Sequence, residues 1–409
     1  MQAQEIAKIK SQLAQEFERF NDKGYPDGFP PLPDLPAGRY TDPMFYDLER
    51  ELVWGKSWLL AGHLDEFVKG GDFKLWREIG APVVIVRGHD GSLRAFYNTC
   101  RHRGGPLVRE ARGNASHLLC LYHSWTYDLE GNLTFVPDAH EFPELRSCDR
   151  GLIALRCETW GNLVFVNPDL SAPPLHEYLG PIVEECADLR FDELRLVHQH
   201  HFNIACNWKV AMDAFQEVYH LKHIHPDTVN AILDHRGASM TIYPNGHSRM
   251  IVPNRTGPDF EAARVLDSGN AGEDPAHEIT RTTSRAYNLF PNIVTPTAEF
   301  EFPLLVFWPQ DIRNTKMDVI WLSRSQNTDA STQEWKNRIA QFDVILDEDV
   351  ENLPWIQQSI ETPGFESVPL SYQERRIYNH HEQIDRTIGA ERLPASLRIP
   401  QVLEPYWRT

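Results

Sequence analysis

Residues 98–131 read NTCRHRGGPLVREARGNASHLLCLYHSWTYDLEG, and this stretch decides the fold. It opens with C-x-H (Cys100, His102) and, after residues 103–119, continues with C-x-x-H (Cys120, His123). Each pair presents two metal ligands from one tight turn, so two such loops facing each other enclose a metal centre. The surroundings are β in texture. From Trp58 to Val166, short apolar runs such as Ala81–Val86 and Leu163–Val166 alternate with Gly-Gly, Asp-Gly and Glu-Gly turns.

Two metals suit two Cys and two His. A structural zinc site is one reading. Two thiolates on one iron and two imidazoles on the other, the ligand set of a Rieske [2Fe–2S] centre, is the other. Two features weigh against zinc: no finger-type helix follows His123, and the Arg-rich loop ending in Gly104-Gly105-Pro106 is unlike a finger. The stretch resembles the Rieske domain of the ring-hydroxylating oxygenase α subunits. The match runs through Cys100, His102, Arg103, Gly104, Cys120, Tyr122, His123, Trp125, Tyr127 and Gly131. It departs from the family at Leu121, often Pro, and at Ser124, often Gly.

Further along, NWKVAMDAFQEVYHLKHIHP (residues 207–226) carries a helical apolar face of Trp208, Ala211, Phe215, Val218 and Tyr219, closed by Pro226. Glu217 and His220 are three apart and share a helix face. His225 lies five beyond His220 and points elsewhere unless the helix ends or distorts. Pro226 biases its predecessor out of the α region and can turn His225 back. Two imidazoles and one carboxylate suit a mononuclear iron with open positions, although a histidine-rich helix end that binds nothing has the same composition.

The pattern is similar to the mononuclear-iron segment of the same family. That resemblance implies that His220 and His225 are iron ligands and that Glu217, where many members have Asp, bridges to a Rieske histidine of a neighbouring subunit, His123 first. It places His223 outside the ligand set. The third ligand is sought in a long helix predicted over residues 332–360. There Trp335, Ile339, Phe342, Leu346, Leu353 and Ile356 form an apolar stripe. Asp349 falls within that stripe, where an unpaired carboxylate is costly unless it binds a metal. Asp343, Asp347 and Glu351 fall off it. The family resemblance agrees on Asp349, with Asp347 the second choice.

The expected fold class is α+β, an all-β Rieske domain followed by a helix-grip catalytic domain with an antiparallel sheet and a long helix. The expected divisions are residues 1–44 (an N-terminal amphipathic helix and a Pro-rich connector, Tyr25–Pro36, packing on the catalytic domain), 45–166 (Rieske) and 167–409 (catalytic). A short helix over Asp42–Lys56 and strands at Phe300–Trp308 and Met317–Ser323 are expected, with the polar stretch Asn254–Arg285 as a lid. Phe290, Phe300, Phe302, Phe307 and Trp308 are candidates for an apolar pocket.

Composition sets the outer limits. The 409 residues carry 58 acidic and 40 basic side chains, a formal charge of −18, which disfavours nucleic acid and anionic membranes as partners. Six cysteines are too few for a disulfide framework, and no signal peptide or spanning stretch is evident, so a cytoplasmic location is expected. Arg94, Arg101, Arg103, Arg109 and Arg112 stand against Glu110 alone, a local excess of about +4 read as a docking patch for an acidic electron donor. No phosphate-binding Gly-rich loop is present, so electrons from NAD(P)H are expected through a separate reductase or ferredoxin. The resemblance implies a terminal oxygenase with a Rieske [2Fe–2S] cluster and a mononuclear Fe(II). It also implies a homotrimer, α3 or with a β subunit, using O2 to hydroxylate or dihydroxylate a small organic, aromatic substrate. The alternative outcome is O- or N-demethylation of a methylated small molecule.

Overall fold

The computed structural model describes residues 3–255, 279, 282–297, 301–325 and 327–408. Most of the expected lid, residues 256–278 with 280 and 281, lies outside them, as does Phe300. The chain forms two compact units. One comprises Arg50–Tyr178 with Phe191–Glu193; the other comprises Met1–Glu49, Leu179–Arg190 and Leu194–Thr409.

The first unit is built on an antiparallel seven-stranded sheet. Its order is Leu59–His63, Leu163–Asn167, Ala154–Trp160, Leu93–Tyr97, Val83–Arg87, Asp72–Trp76 and Arg112–Asn114. A smaller sheet, Leu118–Leu119, Thr126–Tyr127 and Leu133–Phe135, carries the second ligand loop. Val84, Val86, Phe96, Leu107, Leu118 and Tyr127 belong to one core cluster that also includes Cys100 and Cys120.

The second unit centres on another antiparallel seven-stranded sheet. Its order is Arg195–Ile204, Asn314–Ser323, Glu301–Asp311, Ile293–Thr297, Thr283–Leu289, Ser248–Pro253 and Ser239–Ile242. Side chains alternate between the faces of such a sheet, and contacts fix which face is which. Trp321 packs on Trp335 and Phe342 of the helix Gln333–Val350. Phe307 meets Phe215, and Met240, Met250, Val252 and Ala286 cluster with Val218 and Leu221. One face is thus covered by the long helix and by residues 215–225. On the opposite face Arg249 pairs with Glu185, and Arg285 with Asp188 at 2.9 Å. There too Ile251 meets Ile6 and Ile9 of the N-terminal helix Ala3–Asn21.

Three helical expectations change in detail. Asp42–Lys56 becomes a short helix, Pro43–Leu48, capped by Asp42 and followed by a wider turn at Glu49–Val53. The predicted 332–360 helix divides into Gln333–Val350 and Leu353–Ile360, because Pro354 takes an N-terminal helical position and lacks the N–H a continuous helix needs. Ile356, assigned to the apolar stripe, is 43% exposed as a result. The third change shapes the candidate site. Instead of one helix over Asn207–His225 there are two, Trp208–Ala214 and Leu221–Ile224, joined by an irregular link.

Candidate metal centres

In the first unit the two Cys/His loops are closed by backbone bonds that bring the ligands to one side. Cys100 N donates to Gly105 O and Gly104 N to Cys100 O, while Cys120 N donates to Trp125 O and Ser124 N to Cys120 O. Both turns need a left-handed residue: Gly104 has φ +77° and Ser124 has φ +59°. Gly105 has a different reason to be glycine, since a Cβ there would stand 2.9 Å from Cys120 Sγ. Both cysteines are buried, and burial pushes the Cys100 thiol up, so a bare thiolate would be costly without a cation to hold it. The Tyr127 hydroxyl lies 3.4 Å from Cys100 Sγ and accepts from Arg101 N at 2.9 Å.

The imidazoles pair as the thiols do. The His102 and His123 rings are 4.7 Å apart between centroids, and the Trp125 ring stacks on His102 at 4.8 Å with planes 9° apart. Burial pulls His102 down, and the neighbouring His123 adds to the effect, which keeps the ring in the neutral form a metal requires. Two buried thiols and two adjacent imidazoles fit the two irons of a Rieske cluster.

The arginines counted around these loops are partly spoken for. Arg94 donates two hydrogen bonds to the Asp90 carboxylate, Arg112 pairs with Glu66 at 2.5 Å, and Arg101 donates to Gly151 O. Arg103 lies over the Tyr122 ring. Asp90 and Glu66 thus offset two of the five charges, and the local excess read from the sequence shrinks accordingly, with Arg103 and Arg109 exposed. At the second ligand loop two apolar side chains face outward beside the exposed Arg103: Leu121 and Tyr122 are 56% and 60% exposed.

The second centre lies in the other unit. Ligand atoms of His220, His225 and Asp349 lie within 4.8 Å of one another, the one such group among the described residues. His225 Nε2 is 2.9 Å and His220 Nε2 3.5 Å from the same Asp349 oxygen, Oδ1. Asp349 is buried on the sheet-facing side of its helix, while Asp347 is exposed. His223 is exposed as well.

The backbone explains how residues five apart converge. The first helix ends at Phe215, and the link that follows lets the Glu217 carboxylate accept from the amides of Tyr219 and His220, as an N-cap does. A single turn then runs to His225, which leaves helical geometry at φ −118°, ψ 46°, just before Pro226. The distortion allowed for in the sequence therefore occurs twice, once on each side of His220.

Both rings are also held from behind. Glu217 pairs with Nδ1 of His220, and Glu348 Oε2 lies 2.6 Å from Nδ1 of His225 while accepting from Thr228 Oγ1 at 2.7 Å. With each Nδ1 engaged by a carboxylate, each Nε2 is left to face the centre, the usual arrangement behind metal-bound histidines. Burial pulls both histidines down, but the adjacent carboxylates outweigh it and both titrate above the ordinary value. Such a site calls for a cation. The donor set, two imidazoles and a carboxylate, is that of a non-haem iron. Sequence reasoning missed Glu348 as a supporting group. The signal was available in the adjacent acids Glu348-Asp349, which stand about 100° apart on the helix and reach opposite nitrogens of the same His225.

Comparison with known proteins joins the two halves. The Rieske [2Fe-2S] domain model matches residues 57–148, and the model of the ring hydroxylating alpha subunit catalytic domain matches residues 191–390. Biphenyl 2,3-dioxygenase subunit alpha of Rhodococcus jostii (strain RHA1) is 40% identical over 188 residues, 44% of this chain and 41% of that one. The carnitine monooxygenase oxygenase subunit of Escherichia coli (strain K12) is 33% identical over 197 residues, 47% and 52% of the two chains. The chain therefore spans about half the length of the curated relatives it matches. Among solved structures, a quaternary ammonium Rieske monooxygenase in complex with an inhibitor has a TM-score of 0.74 at 22% identity, covering 89% of this chain and 99% of that one. Naphthalene 1,2-dioxygenase from Rhodococcus sp. bound to indole has a TM-score of 0.69 at 22% identity, covering 94% and 99%. Both show the same fold. Carrying a Rieske domain and a ring-hydroxylating catalytic domain in one chain, the protein belongs to the α-subunit family of the Rieske non-haem iron ring-hydroxylating oxygenases.

Proposed function

We propose that the protein is a terminal oxygenase that takes electrons from a separate reductase or ferredoxin and hydroxylates or dihydroxylates a small apolar, aromatic substrate with O2. The observation that carries this reading is the convergence of His220, His225 and Asp349 beside a sheet face almost devoid of charge. By strand register, Met250, Ala286, Val294, Leu305, Phe307 and Val319 all take positions on that face. Among the described residues of the six strands from 239 to 323, the Asp, Glu, Lys or Arg residues of this parity are Glu301, which pairs with Arg338 of the long helix, and Asp311, at the strand end beyond the register shift after Pro309. The interior strand positions on this face, Met250, Ala286, Val294, Leu305, Phe307 and Val319, bring no charge to a substrate, and a neutral ring asks for none.

In this reading Cys100, His102, Cys120 and His123 hold the cluster, and His220, His225 and Asp349 hold the iron. Bound iron supplies the activation of O2. The chain's own groups do the rest: Glu217 and Glu348 fix the ring orientations, and the apolar face excludes water and positions the substrate. Glu217, already seated on His220, is suited to carry coupling from a cluster histidine, His123 first, of the next subunit in a ring-shaped trimer. The apolar rim of Leu121 and Tyr122 fits the burial of that cluster edge against a partner. No helix among the described residues is long and apolar enough to cross a membrane.

The test is O2 uptake and product mass with a surrogate reductase, offering benzene, biphenyl and naphthalene beside carnitine and glycine betaine. Uptake coupled to a hydroxylated aromatic product is expected. Turnover confined to the quaternary ammonium compounds, with release of a demethylated or cleaved amine, would overturn the aromatic reading.

A further inference from the structure

The irregular link between the helices Trp208–Ala214 and Leu221–Ile224 is where Glu217 turns back onto His220. A six-residue break beside a metal site needs something to hold it, and two elements far away in sequence do so. Arg376, on the helix Arg375–Ile388, is fully buried and donates from Nε to Ser248 Oγ at 2.9 Å and from Nη1 to the carbonyl of Gln216 at 3.2 Å. Asn288 holds the other end of the same residue, its Nδ2 donating to Gln216 Oε1 at 3.2 Å.

Arg376 is unusual for a buried cation. The guanidinium is pulled down to about 9 by burial first and by Arg375 second, and among the described residues no carboxylate pairs with it. Burying a charge without a counter-ion is costly, so packing alone does not account for an arginine here. What its donors reach is informative. The Gln216 carbonyl belongs to the peptide group whose nitrogen is that of Glu217. Fixing the oxygen fixes the plane of that peptide, and so the direction in which Glu217 leaves the link.

We propose that Arg376 is a positioning residue for the iron site, holding the 216–217 peptide so that the Glu217 carboxylate lies on Nδ1 of His220. The inference rests on the assignment of His220, His225 and Asp349 as ligands. It goes beyond that assignment by extending the site to the C-terminal helix.

The test is the Fe(II) affinity of protein stripped of its mononuclear iron, measured by competition with a ferrous chelator. Loss of a supporting carboxylate costs about 10- to 100-fold in affinity, which sets the expectation for Glu217→Gln. Arg376→Lys keeps the charge but cannot reach both Ser248 and Gln216, and a weakening of about 3- to 10-fold is expected, below the roughly 10- to 100-fold of a group directly behind a ligand. Ser248→Ala, which removes a single anchor, should weaken binding by about 2-fold and serves if Arg376→Lys does not fold. The decisive comparison is the double variant. If Arg376 acts through Glu217, Arg376→Lys adds nothing further to Glu217→Gln.

Full additivity of the two losses would make Arg376 a general prop of the fold and overturn the inference, as would wild-type affinity in both Arg376→Lys and Ser248→Ala. The control is His220→Ala. If it binds Fe(II) as the wild type does, the ligand assignment itself fails. If it loses iron while the Arg376 and Ser248 variants bind normally, only the positioning role fails.

Discussion

Glu348 offers a direct measure of how much the support behind a ligand contributes. Its Oε2 sits 2.6 Å from His225 Nδ1 and 2.7 Å from Thr228 Oγ1, while the ring's Nε2 faces Asp349. A hydrogen bond to a charged group contributes about 1.5–3 kcal/mol, and about 1.4 kcal/mol corresponds to tenfold in an equilibrium constant. Glu348→Ala should therefore weaken Fe(II) binding by roughly 10- to 150-fold. Glu348→Gln keeps the shape and one hydrogen bond but loses the charge. Ionised hydrogen bonds are about twice as strong as neutral ones, so about half of the energy remains and the loss falls to roughly 4- to 12-fold. The assay is chelator competition on protein stripped of mononuclear iron, with the visible absorption of the cluster as an internal control for intact folding. Wild-type affinity in Glu348→Ala would refute the claim that the carboxylate orients His225.

Three further outcomes are expected. Asp349→Ala should lose mononuclear iron and turnover while the cluster spectrum persists, and Asp347→Asn, at an exposed position, should leave both unchanged by metal analysis. Ser124→Gly should stabilise the cluster unit by about 0.5 kcal/mol. Relief of a left-handed L-residue gains about 1–2 kcal/mol and the added freedom of glycine costs about 0.5–1 kcal/mol; slower bleaching of the cluster on heating is the readout. Asp213 is pushed up to about 6, burial outweighing the opposing hydrogen bond from Tyr40. Its folded-state value is raised, so its contribution to stability is complete below about pH 4 and is lost as pH rises through about 6. Asp213→Asn should flatten that part of the profile in denaturant titrations of the second unit.

The cluster loops were legible because their chemistry is local. Cys100, His102, Cys120 and His123 come from two turns, and the residues that shape those turns are their neighbours in sequence. Ser124 shows the limit: the sequence marks it as a departure from a family glycine, but only the backbone shows the left-handed conformation behind that preference. Asp349 was legible for a different reason, since a carboxylate on an apolar stripe stands out against helical phase. The break at residues 215–220 was not. Its apolar spacing is helical, and the groups bonded to the break, Asn288 and Arg376, lie 72 and 160 residues away from their contacts on Gln216. Propensity cannot register a partner that only tertiary structure delivers. The same holds for the arginines near the cluster, where a count of charges could not anticipate Asp90 and Glu66 beside two of them.

The alternation along the catalytic sheet has a consequence for how such a protein can change. On the strand Ser248–Pro253, Met250 and Val252 look toward the iron-site elements, while Arg249 and Ile251 look toward the ion pairs and the N-terminal helix. Adjacent positions in the sequence thus answer to different demands. Met250 and Val252 can be exchanged to reshape the space beside the iron-site elements without touching the contacts that anchor the sheet from behind, whereas Ser248, of the same parity, is tied to Arg376. Selection for a new substrate bears here on one set of residues and selection for the contacts behind the sheet on the other, interleaved with a period of two.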